Sequence, residues 1–217
     1  MPSVPLTFSW AALWSLLLSL AASGATFAWL CRRWTTDRPR SALADWARAR
    51  RFRVDRPPVA QLPAGLTALL AADPRVELAL LRGPVAVVRL STAARPGGPR
   101  PTWNLLVRST PANPGTDLSG LRPAAAAHGA SILDLLPSLG GYPSLLPPER
   151  FVACATSGAA ARRIANSPAR GLLPHDVGLL WQPTAVVLDF SGRPFDGVEV
   201  DRMLAIAEQV VGHLRVG

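Results

Sequence analysis

An α+β fold behind a single N-terminal membrane helix is what the sequence predicts, and three observations carry that reading. Residues 8–30 form a run of 23 positions without a charged side chain. Two pairs of short aliphatic runs, 76–81 with 85–90 and 177–181 with 185–190, each bracket a turn signal. The chain then closes on an amphipathic helix that starts at Asp196.

The uncharged run is rich in Leu, Ala, Trp and Phe. As a helix it is ~34 Å long, enough to cross a bilayer core of ~30 Å. Trp10 and Trp14 lie towards one end and Trp29 and Trp34 towards the other, where indoles sit at headgroup level. Arg32, Arg33, Arg38 and Arg40 come directly after it, and no basic side chain precedes the run. The positive-inside rule places the C-terminal side of the run in the cytoplasm, at an inner or plasma membrane crossed once, and leaves residues 1–7 as a short extracytoplasmic N-terminus. A cleaved signal peptide is the competing reading, with small residues at Ala21 to Ala25, but it requires a positive leader and a shorter apolar core. Bulky Leu30 before Cys31 also argues against a lipoprotein signal, which leaves Cys31 as a juxtamembrane thiol.

Charge is concentrated beside this run. All 23 basic residues are arginine, the net charge is +9, and residues 32–56 alone hold nine arginines against three aspartates. A basic segment packed next to a membrane helix fits anionic headgroups better than nucleic acid, with Arg32, Arg33, Arg38 and Arg40 as the headgroup contacts. A single tyrosine argues against a base-stacking platform. The lack of lysine excludes a Schiff base, a Walker A lysine and a Ser-Lys pair. Two cysteines and three histidines, all far apart in sequence, give no metal site, and no cofactor motif is present.

The basic juxtamembrane segment therefore spans 31–56 and a soluble α+β domain spans 57–217. Element by element, residues 41–51 read as a short helix, 52–54 as a brief strand, and 62–72 as a helix between Pro63 and Asp73-Pro74. The hairpin 76–90 turns at Arg82-Gly83-Pro84, and 103–108 adds a third strand to an antiparallel meander. Seven prolines make 111–148 an irregular excursion, with short helical turns within 124–136. A strand at 151–155, a helix at 157–165 and the hairpin 177–190 complete the body of the domain. For the last helix Asp196 is the N-cap, Glu199 the reciprocal acid, and Phe195 and Val200 a hydrophobic staple. Val200, Met203, Leu204, Ala207, Val210, Val211 and Leu214 form its apolar stripe, with Glu199, Arg202, Glu208 and Arg215 on the other face. The two hairpins suggest a duplication in which two halves share one sheet.

The segments WARARRFRV (46–54), WNLLVRS (103–109), RFVACATSGAAARRIANSPARGLL (150–173) and VVLDFSGRPFDGVEVDRMLAIAEQVV (186–211) come in a familiar order. In that order the chain resembles bacterial single-pass membrane-anchored proteins of unknown function with an arginine-rich juxtamembrane segment and a cytosolic α+β domain. The resemblance spans about two thirds of the chain. It implies a fold and a location but no activity, so no functional residue is carried over.

Two constellations invite chemistry. Cys154, His175 and Asp189 are the residue types of nucleophile, base and orienter, yet Cys154 alternates within a strand and has no glycine elbow around it. Ser157 and Gly158 open a helix that carries Arg162 and Arg163, an arrangement able to hold an anion. Asp196, Glu199 and Asp201 are accounted for by the helix start. The functional expectation is a membrane-anchored binding or scaffolding domain with a protein partner at the membrane. An anchored enzyme is the alternative and a secreted domain the third reading.

Overall fold

The computed structural model describes residues 42–55, 75–92, 101–111, 117–127, 130–147 and 150–214. The apolar segment 8–30, Arg32, Arg33, Arg38, Arg40 and the helix expected at 62–72 lie outside the described residues. Among the described residues no helix is long and apolar enough to cross a membrane. The chain divides into two compact units, 1–44 and 45–217, and the second holds the sheet and its helices.

Alternating aliphatic runs build one antiparallel sheet, nine strands among the described residues. In chain order they are β1 (Arg53–Asp55), β2 (Arg75–Arg82), β3 (Val85–Ser91), β4 (Thr102–Ser109), β5 (Ser119–Pro123), β6 (Gly140–Tyr142), β7 (Phe151–Ala155), β8 (Gly178–Gln182) and β9 (Ala185–Asp189). In space the order is β1-β2-β3-β4-β9-β8-β5-β7-β6. The predicted meander is thus β2-β3-β4, and the second hairpin, β9-β8, joins the same sheet through β4. Gly83, at φ +54°, opens the first hairpin's two-residue turn as the type II′ geometry demands. Both hairpin turns then serve β4: Pro84 O accepts from Ser109 N–H and Thr184 O from Thr110 N–H, each at 2.8 Å.

Cross-strand partners share a face, so the register sorts the core into two layers. Leu81, Ala86, Val107, Val187, Leu180, Gly120 and Cys154 form a row on one face. There Ile132 and Leu133 of a 3-10 turn (Ile132–Leu135), together with Leu136, pack into a core with Trp103, Leu105 and Val107. Leu80, Val87, Leu106, Leu188, Leu179, Leu121 and Ala153 form the row on the opposite face. All seven are buried, and α2 (Gly158–Asn166) packs against β5 and β7 while α4 (Gly197–Leu214) packs against β4 and β9. A four-residue α3 (Ala169–Leu172) links α2 to α4.

The last helix matches its sequence closely. Asp196 Oδ1 accepts from Glu199 N–H at 2.9 Å, and every residue of the expected apolar stripe is buried. Glu199 departs from the expected solvent face: its side chain is only 13% exposed, beneath Arg193. At the other end of the unit, α1, helical over residues 42–49, sends Trp46 onto the first turn of α4. Trp46 Nε1 donates to Asp201 at 3.1 Å, and its ring stacks on Phe52. A Cβ on Gly197 would run into that ring, so the helix start has room for no side chain there.

The excursion predicted at 111–148 is more regular than its prolines suggest. It contributes β5, β6 and two 3-10 turns, the second at Pro143–Leu145. The reason is tertiary: β5 lies between β7 and β8, which supply its ladder bonds from distant sequence. Gly120, unremarkable in a breaker-rich stretch, is where Leu133 comes down onto the sheet, since a Cβ there would lie 2.9 Å from Leu133 Cδ2 and 2.5 Å from Leu179 O. Gly120→Ala should therefore lower stability by ~1–3 kcal/mol, the overpacking range. Gly171→Ala, in α3 with open space around its Cα, should raise it by ~0.5–1 kcal/mol. Urea denaturation of the two variants checks the contrast, and equal effects would mean that Leu133 does not seat on β5 as described.

Candidate functional site

Where β9 ends, the chain runs through Phe190 to Phe195 into α4, and a cleft of ≈ 220 Å³ opens between this loop and residues 123–126 and 130–131. Pro123, Ala125, Ala126 and Ala130 give it an apolar wall, and Ser131, Asp176, Asp189, Ser191 and Gly192 the rest. The polar groups are held from behind.

Asp189, 4% exposed, has both carboxylate oxygens engaged. Oδ2 accepts from Ser131 Oγ at 2.9 Å and from Ile132 N–H at 2.7 Å. Oδ1 accepts from Ser191 N–H at 3.1 Å and from the Ser191 hydroxyl. Each hydroxyl is also an acceptor: Ser131 Oγ caps the 3-10 turn through Leu133 N–H, and Ser191 Oγ takes Asn104 N–H from β4. No basic side chain is among these donors, so burial dominates and holds the Asp189 pKa above the usual carboxylate range despite four hydrogen bonds.

The second layer of the site is ionic. Arg193 grips Asp176 through two bonds of 2.8 and 2.6 Å and reaches Glu199 at 2.6 Å. Burial alone would raise the Asp176 pKa, but the Arg193 bonds and charge outweigh it and leave the group below its ordinary value. Those same bonds raise Arg193 above the usual arginine value. Asn104 fixes the loop further, donating from Nδ2 to Arg193 O while its Oδ1 accepts from Arg89 Nε, both at 3.0 Å. The Arg89 guanidinium lies 4.7 Å over the Phe195 ring. Across the cleft Arg122 binds Asp134 at 2.7 Å and the carbonyls of Ala126 and Ala127, which sets the apolar wall.

Cys154, His175 and Asp189, the triad residue types that the sequence already argued against, do not come together. Cys154 is on β7 and Asp189 on β9, three strands apart across the sheet, or about 14 Å at normal strand spacing. The Cys154 thiol is buried and pushed up to about 11 by that burial, against the pull of the Arg122 charge, so it stays protonated. His175 is exposed in the turn before β8. Among the described residues no group of three His, Cys, Asp or Glu side chains is placed to hold a metal ion.

At the start of α2, Ser157 Oγ accepts from Ala160 N–H and donates to Asp117 at 2.7 Å. The helix N-terminus thus already faces a carboxylate of the chain itself, while Gly158 borders the Tyr142 ring and Arg162 and Arg163 are exposed. The three acids of the α4 start have separate partners: Asp196 caps, Glu199 takes Arg193, and Asp201 takes Trp46 and Arg50. Sequence reasoning passed over Ser131, Asp176, Ser191 and Arg193. The Ser131-x-x-Asp134 spacing before Leu135 and Leu136 was a usable signal, since it makes the capping box seen here.

Asp189→Asn replaces an acceptor by a donor facing buried N–H and O–H groups and should cost ~1–3 kcal/mol. Because the folded Asp189 pKa is raised, the native state keeps this proton longer than the unfolded chain. Its contribution therefore declines as pH rises from the ordinary carboxylate range through the raised value. Asp176 acts oppositely: its contribution is present above the unfolded pKa and is lost as pH falls through the depressed value. In urea titrations at several pH values the gap between wild type and Asp189→Asn should be widest at low pH. A gap that grows with pH would show a carboxylate stabilised as an anion.

No family model, curated protein or solved structure matches the chain.

Proposed function

We propose that the chain is a membrane-anchored binding or scaffolding domain, held by residues 8–30 with its α+β unit on the cytoplasmic side, that receives an apolar side chain of a protein partner in the cleft beside Asp189. One observation carries the reading: the polar groups of the cleft are committed to holding its walls, whereas Pro123, Ala125, Ala126 and Ala130 present apolar surface. A site prepared for chemistry leaves a nucleophile, acid or base directed at the substrate. Here Asp189 is saturated from four sides and Asp176 is gripped by Arg193. The anchor reading draws on the 23 uncharged residues and on the arginines that come after them.

An anchored enzyme is the second reading, and a specific feature favours it. Asp176 and Asp189 line the same cleft with pKa values displaced in opposite directions, as acid and base partners are.

Gly192 separates these readings, because it lines the cleft and a Cβ there meets nothing within 4 Å. For Gly192→Trp we expect an unchanged Tm and loss of the partner that intact protein retains in pull-downs from detergent-solubilised membranes. Capture that survives the substitution places binding elsewhere. A hydrolytic or transfer activity lost in Asp176→Asn, with capture intact, favours the enzyme. Location is tested separately: the protein should stay with membranes through carbonate extraction, and alkaline phosphatase fused after Gly217 should be inactive.

A further inference from the structure

A group of exposed arginines lies away from the cleft, at the corner where α1 passes into the edge strand β1. Arg48, Arg50, Arg51, Arg53 and Arg82 are all exposed there. Among the described residues Asp45 pairs with Arg48 and Asp201 with Arg50, both pairs open to solvent. Arg51 makes no hydrogen bond or ion pair with the described residues through its side chain. Arg82 binds no carboxylate among them.

The backbone under this corner is specific. Arg51 adopts φ +59°, a left-handed conformation in which chains normally place glycine at a helix end. Arg51 N–H bonds to Arg48 O at 3.0 Å and Phe52 N–H to Ala47 O at 2.8 Å, closing α1 and turning the chain into β1. Phe52 then goes inward against Trp46, and the Arg82 guanidinium lies 4.5 Å over the Phe52 ring while donating to Arg50 O. An arginine occupies the position where glycine would fold more easily, and its left-handed backbone sets where the exposed side chain leaves the chain. A second arginine, Arg82, is held over an aromatic ring and to the Arg50 carbonyl while remaining exposed.

We propose that this corner, formed by Arg48, Arg51, Arg53 and Arg82, is a second membrane contact that seats the domain on anionic lipid headgroups in one orientation. The inference rests on the membrane-anchored function proposed for the chain and deepens it: the anchor supplies proximity, and the corner supplies orientation. Anionic headgroups fit better than nucleic acid because the corner comes soon after the uncharged segment 8–30 and Arg32, Arg33, Arg38 and Arg40 in sequence. An anchored corner meets headgroups at high effective concentration, so a handful of guanidinium contacts suffices. No aromatic side chain is exposed among these arginines, since Phe52 is buried and Trp46 is occupied by Asp201 and Gly197.

The full chain reconstituted in nanodiscs tests this by hydrogen–deuterium exchange. Peptides covering residues 48–55 and 80–84 should exchange several-fold more slowly in discs containing phosphatidylglycerol than in pure phosphatidylcholine, and high salt should remove the difference. Arg51→Gly is the decisive variant, because it removes the charge while relieving the left-handed backbone. It should lose much of the protection while the Tm holds or rises, an outcome that a purely structural arginine would not give. Arg82→Gln should act in the same direction, and Arg162→Glu on α2 should leave the protection intact. Equal exchange in the two lipids, with the protein inserted, overturns the corner and leaves the anchor standing. Failure to insert overturns both. Protection by duplex DNA in phosphatidylcholine discs that equals the lipid effect reassigns the corner to nucleic acid and overturns the proposal.

Discussion

Asp189 sits at the end of β9 with both oxygens buried and no cation among the described residues hydrogen-bonded to them, and satisfying that carboxylate ties together the turn and the loop around it. Its donors come from the strand's own continuation at Ser191 and from the 3-10 turn at Ser131 and Ile132, far away in sequence. Each serine hydroxyl is used twice, so the network reaches Leu133 on one side and Asn104 of β4 on the other. Losing any member would strand a buried polar group at a cost of ~1–3 kcal/mol. The 3-10 turn, the apolar wall of the cleft and the loop into α4 are thereby held to one another as well as to the sheet. Arg193 extends the arrangement outward by tying Asp176, before β8, to Glu199 in the first turn of α4.

Whether an element is legible in the sequence depends on whether its signal is local. Hairpin β2-β3 is announced by Arg82-Gly83-Pro84 between aliphatic runs, and α4 by Asp196 and its stripe. Both depend on neighbours in sequence, and both occur within a residue or two of where they are expected. β5 and β6 are not legible. Gly120, Pro123 and the Gly140-Gly141 pair read as breakers, and the strands that accept them, β7 and β8, come later in the chain. Glu199 has the composition of a solvent-facing helix residue, and only the course of the preceding loop brings Arg193 over it. The cleft is hardest to foresee, because its walls derive from four separated stretches. Asp189 attracts attention for the wrong reason: as a lone acid after an apolar strand it suggests an orienter for Cys154, three strands away.

The arginine-only basic set takes a further meaning from the fold. Arg122, Arg150 and Arg193 all reach more than one acceptor or an aromatic face: Arg122 holds Asp134 and two carbonyls, Arg150 binds Leu173 O while lying 5.4 Å from the Phe151 ring, and Arg193 holds two carboxylates. A planar fork with several fixed donors makes such contacts, and an ammonium group does not reproduce them. In the described unit arginine therefore serves as internal scaffolding as much as surface charge.

The two hairpin turns that each give a carbonyl to the end of β4 have a consequence for how the chain is made. β4 becomes a central strand, with Trp103 to Val107 buried, only when β9 pairs with it. On the ribosome, residues 110 to 184 must be synthesised after β4 before that partner exists. Through this interval the meander β2-β3-β4 stands with an apolar, unpaired edge, the kind of surface that recruits foreign strands. The edge is closed only when the second hairpin arrives, β9 pairs with β4 and Thr184 completes the seam.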